Sequence, residues 1–124
     1  MTNAFQDLTQ TLHAYFDALY FCDTEKLQSV FHPRAIYATA DEQPPLYRTM
    51  DEYVPVVAAR QSPASRNEPR RDVIDAIELA GENTAFARVR CSIGERDFVD
   101  FLSLVRENGS WRIIAKVFQI ISRQ

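Results

Sequence analysis

From residue 3 to residue 20 the apolar side chains Phe5, Leu8, Leu12, Tyr15, Phe16 and Leu19 recur at steps of three and four, while Gln6, Asp7, Gln10, His13 and Asp17 face away. That spacing is the stripe of an amphipathic helix, and Asn3 followed three residues later by Gln6 suits its N-terminal cap. Cys22-Asp23 breaks the pattern. Thr24 or Asp23 then caps a short second helix over 25–31, with Leu27, Val30 and Phe31 on its buried side. His32-Pro33 ends it, because the residue before a proline is pushed out of the α region. Residues 35–40 alternate as a short strand, with Ile36 and Ala38 on one face and Tyr37 and Thr39 on the other. A loop over 41–45 leads to a third helix, which starts at Thr49 or Asp51, runs to about Arg60 and carries Met50, Tyr53, Val54 and Val57 inward. Pro55 falls at or just past its first turn. Residues 61–69, with two prolines, form the longest loop and a candidate rim.

The pattern then switches to a period of two. Residues 72–79, 84–93, 97–107 and 110–122 read as four successive strands joined by short turns at 81–83, 94–95 and 108–109. Asn108-Gly109 is the strongest hairpin signal, since both residues tolerate positive φ. Helices first and a meandering sheet last predict one α+β domain over 1–124: a cone-shaped, curved mixed or antiparallel sheet wrapped around three N-terminal helices. A sheet curled in that way leaves a cavity for a small molecule.

Alternation sorts the strand side chains between two faces. In 84–93 one face is uniformly apolar (Ala85, Ala87, Val89, Cys91, Ile93) and the other reads Phe86, Arg88, Arg90, Ser92. In the last two strands both faces are largely apolar. One face packs on the helices, and the other is most simply covered by a second copy of the chain, which predicts a two-fold dimer through the convex side of the sheet. Asp100 and Lys116 share a face of adjacent strands and read as a polar pair within that interface.

Composition narrows the function classes. The chain is 46% hydrophobic and 25% charged, with a net charge of −3 and a pI near 5.3. No basic field is available for nucleic acid. No apolar run approaches a membrane span and the first residues do not resemble a secretory signal, so a cytoplasmic location is expected. Cys22 and Cys91 do not make a disulfide framework; each sits in an apolar context and reads as a buried free thiol that behaves as a small hydrophobe. Two histidines, His13 and His32, without ligand spacing give no metal site, and no cofactor is expected.

Candidate chemistry rests on few residues. If the arginine face is concave, Arg88 and Arg90 point two guanidinium groups into the cavity and favour a carboxylate or phosphate, unless a neighbouring carboxylate such as Asp97 neutralises them or they lie on an exposed rim. Tyr15 carries a hydroxyl that needs a partner when buried; Tyr37, Thr39 and Tyr53 are similar cases. His32 titrates in the range that suits acid–base work.

The run Tyr15-Phe16-Asp17-Ala18-Leu19, then Asp23, then Val30-Phe31-His32-Pro33, with Gly109-Ser110-Trp111-Arg112-Ile113-Ile114-Ala115-Lys116-Val117-Phe118 at the end, resembles the nuclear transport factor 2-like superfamily. Within it the resemblance is to the small bacterial proteins labelled putative lumazine-binding, neighbours of the SnoaL-like and ketosteroid isomerase groups. It implies a cone fold, usually dimeric through the convex side of the sheet. Laid on the ketosteroid isomerase pattern, Tyr15 takes the oxyanion-hole tyrosine position, Thr39 the general-base aspartate and Ser103 the proton-donating aspartate. A threonine does not shuttle protons between carbons near neutral pH, so that mechanism is not expected. The same superposition turns Arg88, Arg90, Ser103 and Gln119 toward the cavity, with Phe101 lining it.

The leading expectation is therefore a homodimeric pocket protein that binds a polar or anionic, aromatic small molecule. Its ligand-binding candidates are Tyr15, His32, Tyr37, Thr39, Tyr53, Arg88, Arg90, Phe101, Ser103 and Gln119. A second reading is a dehydratase or isomerase using His32 with Tyr15 or Tyr37; a third is an accessory subunit whose working surface is the sheet.

Overall fold

The computed structural model describes residues 3–123. The first helix, α1, spans Ala4–Phe21; Asn3 caps it, its side-chain oxygen accepting from the N–H groups of Phe5 and Gln6 at 2.9 and 3.2 Å. Helix α2 covers Thr24–Val30 with Asp23 as its cap, and the chain passes directly into strand β1, Phe31–Thr39. A four-residue strand β2, Leu46–Thr49, precedes helix α3, Met50–Ala59. Thr49 starts α3, its N–H donating to the Glu52 carboxylate at 2.9 Å. Strands β3 (Val73–Ala80), β4 (Thr84–Ile93), β5 (Arg96–Glu107) and β6 (Ser110–Ser122) complete the chain.

The six strands form one mixed sheet in the order β2-β1-β6-β5-β4-β3. Strand β1 runs parallel to β6, and every other neighbouring pair is antiparallel. The sheet is open: β2 and β3 are its two edges, at opposite ends of the strand order. This corrects the expected cone, since the sheet is neither closed nor strongly curled around the helices. It also adds a strand. Residues 46–49 pair with β1 through Ile36, Tyr37, Ala38 and Thr39, but four residues are too few for a period-two signal to rise above loop composition.

All three helices contribute to the core on one face of the sheet. Leu8, Leu12, Tyr15, Phe16 and Leu19 of α1 meet Ala85, Ala87, Val89 and Cys91 of β4 and Leu102 and Leu104 of β5 within one buried cluster. The uniformly apolar face of β4 is thus the inner one. The loop after α3 is fastened at Glu68: Tyr20 Oη donates to the Glu68 carbonyl at 2.6 Å, and Glu68 Oε1 accepts from the Gly94 N–H at 2.9 Å.

A bulge in β6 sets which side chains share that inner face. Ser103 pairs with Ala115 but Leu104 pairs with Ile113, so Ile114 is an extra residue. One extra residue reverses the parity of everything beyond it. Trp111 and Ile113 before the bulge and Lys116 and Phe118 after it are all buried, whereas uninterrupted alternation would put them on opposite faces.

The β5–β6 turn follows its sequence signal. Asn108 and Gly109 both have positive φ, 52° and 78°. Gly109→Ala is expected to cost about 1–2 kcal/mol, the penalty of a Cβ in the left-handed region. An added Cβ there meets nothing within 4 Å, so the cost is conformational and not steric. Urea unfolding of the variant checks it.

Candidate functional site

The register of β4, β5 and β6 carries a carboxylate and an ammonium into the core. Val89 faces Asp100 across the β4–β5 pair, Asp100 faces Phe118 across β5–β6, and Lys116 faces Leu102. Asp100 and Lys116 are therefore diagonal neighbours on the helix-facing side, 0% and 4% exposed. From α1, Tyr15 Oη donates to Asp100 Oδ2 at 2.5 Å, and Lys116 Nζ stands 3.9 Å from the same oxygen. The ammonium lies within 5.1–5.8 Å of four ring centroids, those of Tyr15, Tyr37, Tyr53 and Phe118. Tyr37 and Tyr53 stack at 4.2 Å. A desolvated cation over aromatic faces gains about 2 kcal/mol, which with the ion pair helps offset the several kcal/mol that burying each charge costs.

The environment holds each proton in place. Burial, then the Asp100 charge, pushes the Tyr15 phenol well above its ordinary value. Burial alone would lower the Lys116 ammonium, but Asp100 more than offsets it and the group is raised. Tyr53 is raised by burial, with Lys116 pulling the other way. Burial also raises the Cys91 thiol strongly, which makes it an inert core residue.

Two buried polar atoms at this centre, Asp100 Oδ1 and the Tyr53 hydroxyl, have no hydrogen-bond partner among the described residues. Such atoms are rare in folded proteins, because each unsatisfied group costs about 1–3 kcal/mol. Beside the centre lies a pocket of about 300 Å³ between α2, the start of β1 and α3, lined by Gln28, Phe31, His32, Met50, Asp51 and Val54 among others. Phe31 forms part of its wall and packs on Tyr15 and Tyr53 at 5.9 and 6.0 Å. One aromatic ring thus touches both the pocket and the buried tyrosines.

The structure divides the residues expected to form the site. Tyr15, Tyr37 and Tyr53 converge on Lys116 as a group. Thr39 is buried nearby, but its hydroxyl donates to the Phe118 carbonyl at 2.8 Å and accepts the Asp41 N–H at 3.1 Å, joining β1 to β6. His32 sits in the pocket wall with both nitrogens occupied: Nδ1 accepts from the Arg34 N–H at 3.0 Å and Nε2 is 2.8 Å from Glu107 Oε1. It makes no hydrogen bond to a tyrosine among the described residues.

Arg88, Arg90, Phe101, Ser103 and Gln119, expected to face a cavity, instead lie exposed on the outer face. Arg90 is neutralised by Asp75, with bonds of 2.7 and 3.0 Å, and not by Asp97. Phe101, Val117 and Gln119 line an outer furrow of about 350 Å³. Asp100 and Lys116, expected on the outer face, are at the centre of the inner one. The carboxyl group that meets Tyr15 is Asp100, and Ser103 is one strand face away from it. The sequence signal for this was the apolar face of β4. Following it across the antiparallel register places Asp100 inside, and the bulge brings Lys116 there with it.

Among the described residues, no group of histidine, cysteine, aspartate and glutamate side chains could hold a metal ion. No helix of the described residues is long and apolar enough to cross a membrane.

Comparison with known proteins bears on the fold. A family model described as "Putative lumazine-binding" matches residues 3–119. No curated protein matches the chain. Among solved structures, an NTF2-like protein of unknown function from Silicibacter pomeroyi DSS-3 is 23% identical with a TM-score of 0.81, covering 98% of this chain and 100% of that one. Another from Shewanella baltica OS155 is 18% identical with a TM-score of 0.83, covering 94% and 93%. A ketosteroid isomerase-like protein from Erwinia carotovora atroseptica is 13% identical with a TM-score of 0.76, covering 98% and 99%. At these identities the likeness shows the nuclear transport factor 2-like fold alone.

Proposed function

The chain belongs to the family described as putative lumazine-binding, and we propose that it binds a small polar molecule whose head group meets the Asp100–Lys116–Tyr53 centre. Entry is from the pocket between α2 and α3, past Phe31. The carrying observation is the pair of buried, unpartnered atoms, Asp100 Oδ1 and Tyr53 Oη. A ligand that gave each of them a partner would offset a cost of about 1–3 kcal/mol per atom. The reading is one of binding without catalysis. Thr39 offers no carboxylate, and both His32 nitrogens are engaged.

Tyr53→Phe tests it. Deleting an unsatisfied buried hydroxyl is expected to leave stability unchanged or raise it by about 1–3 kcal/mol. The same change should weaken binding of a polar heterocycle, with lumazine the first probe, by roughly tenfold in calorimetry. Equal affinity of wild type and variant would defeat the reading.

We further propose that two copies pair through the outer face of the sheet. Ile36, Phe101, Val117 and Ile121 are 54%, 50%, 53% and 44% exposed there. Val117 and Phe101 are direct cross-strand partners; the polar residues beside them are Ser103, Gln119 and, across from Phe101 on β4, Arg88. A self-complementary apolar patch suits an isologous contact, which needs no opposite charge on the partner. Sedimentation at micromolar concentration should report a dimer, and Val117→Arg a monomer. A wild-type monomer under those conditions would end the proposal.

A further inference from the structure

A separate cavity, an open depression of about 610 Å³, coincides with a break in the sheet. On one side of β6, Phe31 pairs with Ile113 and Ile36 with Ala115, so residues 32–35 of β1 stand against Ile114 alone. On the other side Leu104 pairs with Ile113 and Ser103 with Ala115. Ile114 is therefore skipped by both neighbouring strands. A bulge re-aims the side chains beside it, and here His32, Arg34 and Ile114 all reach the cavity wall. Thr84 and Val105, cross-strand partners in the same wall, alternate with the buried Ala85 and Leu104, which puts them on the outer face. Val105 is four residues along β5 from Phe101, about 13 Å at the rise of a strand, so the depression is distinct from the apolar patch there. We infer that it is a site for an organic phosphate, its oxyanion held by Arg34 and Arg106 and its body lying over Val105 and Ile114.

The polar groups of this wall that are free to act are donors. Neither Arg34 nor Arg106 makes an ion pair among the described residues. Arg106 Nε donates to Asn83 Oδ1 at 3.3 Å, which leaves the Asn83 amide nitrogen as a further donor. The one carboxylate in the wall, Glu107, stands 2.8 Å from His32 Nε2 and is engaged there. Arg112 faces Val105 across β5–β6 and adds a third guanidinium on the same side. The chain as a whole is acidic, at −3, so this gathering of unpaired cations is local. Guanidinium groups match the oxygens of a phosphate in geometry as well as charge. A cavity of this size is also in the range of about 300–1,000 Å³ that holds a whole small molecule, and not a bare ion alone.

Titration calorimetry at low ionic strength, with ribose 5-phosphate, inorganic phosphate and ribose as probes, separates the parts of the proposal. Ribose 5-phosphate is expected to bind more tightly than inorganic phosphate, to weaken as salt is added, and ribose not to bind. Arg34→Gln and Arg106→Gln should each weaken it by at least about tenfold. Arg71→Gln, which removes an exposed arginine outside the cavity, should change it by less than about twofold. Tyr53→Phe, on the other side of the sheet, should leave it unchanged, so this site and the buried centre are tested apart. Failure of the phosphates to bind, or an affinity that survives both cavity variants, overturns the site. Equal losses from Arg34→Gln and Arg71→Gln would assign binding to net charge and overturn it too. Inorganic phosphate binding as tightly as the ester would overturn the organic ligand class.

Discussion

Lys116→Met is expected to lower the unfolding free energy by about 3–5 kcal/mol, the cost of stranding a buried charge by removing its partner. Asp100 is fully buried and would retain the Tyr15 hydroxyl alone, with one oxygen still unsatisfied. The double change Asp100→Leu with Lys116→Met should recover part of that loss: replacing a whole buried pair with apolar groups is commonly neutral or stabilising by about 1–4 kcal/mol, but the buried Tyr15 hydroxyl, left without its acceptor, takes back about 1–3 kcal/mol. The contrast is informative about function. If the pair served packing alone, the double variant would work as well as wild type. On the binding reading it is stable and fails to bind. Urea denaturation of the two variants beside wild type checks the stability half, and a single variant losing less than about 1 kcal/mol would show that the pair is not desolvated as the structure has it.

A second large effect is expected on the alkaline side. Cys91, Tyr15, Tyr53 and Lys116 are all raised above their ordinary values of 9.0, 10.0, 10.0 and 10.5. A group raised in the folded state holds its proton more tightly there than in the unfolded chain. Its stabilising contribution is complete below the ordinary value and is lost as pH rises from that value through the folded one. All four displacements have the same sign, and each pK unit corresponds to about 1.4 kcal/mol. Stability should therefore hold level to about pH 9 and fall steeply beyond it, with Cys91 and the less buried Cys22, also raised by burial, the first groups to act. Cys91→Ala should make the fall between about pH 9 and pH 10 shallower. Tyrosinate absorbance gives an independent measure: of the five tyrosines, Tyr15 and Tyr53 should ionise only as the protein unfolds. A urea midpoint that stays constant from pH 8 to pH 11 would refute the burial assigned to these groups.

The strands were legible because a period of two over ten or more residues is hard to mistake. Strand β4 has the bounds that its alternation gives, and β5 and β6 agree to within a residue. Helix α1 was legible for the same reason at a period of 3.6. The gathering of Tyr15, Tyr37 and Tyr53 was also within reach, since each lies on the inward stripe or face of its own element.

The faces of the sheet were a different matter. Alternation says which residues travel together, not which set meets the helices, and with both sides of β5 and β6 largely apolar the choice was open. The alignment with ketosteroid isomerases then favoured the arginine face and exchanged inside for outside. An extra residue at Ile114 compounded the error, because a bulge leaves no mark in an otherwise apolar run. Cone curvature had no local sequence signal of its own.

Local periodicity, governed by backbone geometry and the burial of one stripe or face, was enough to specify the elements, their order and the α+β class. Pairing between distant segments decided the rest: the open mixed sheet, the parallel β1–β6 contact, and the placement of Asp100 and Lys116 beneath Tyr15. Those features depend on register and on which face desolvates. Both are settled by the free energy of the assembled layers, where a buried charge must find its partner 16 residues along the chain and a phenol 85 residues away.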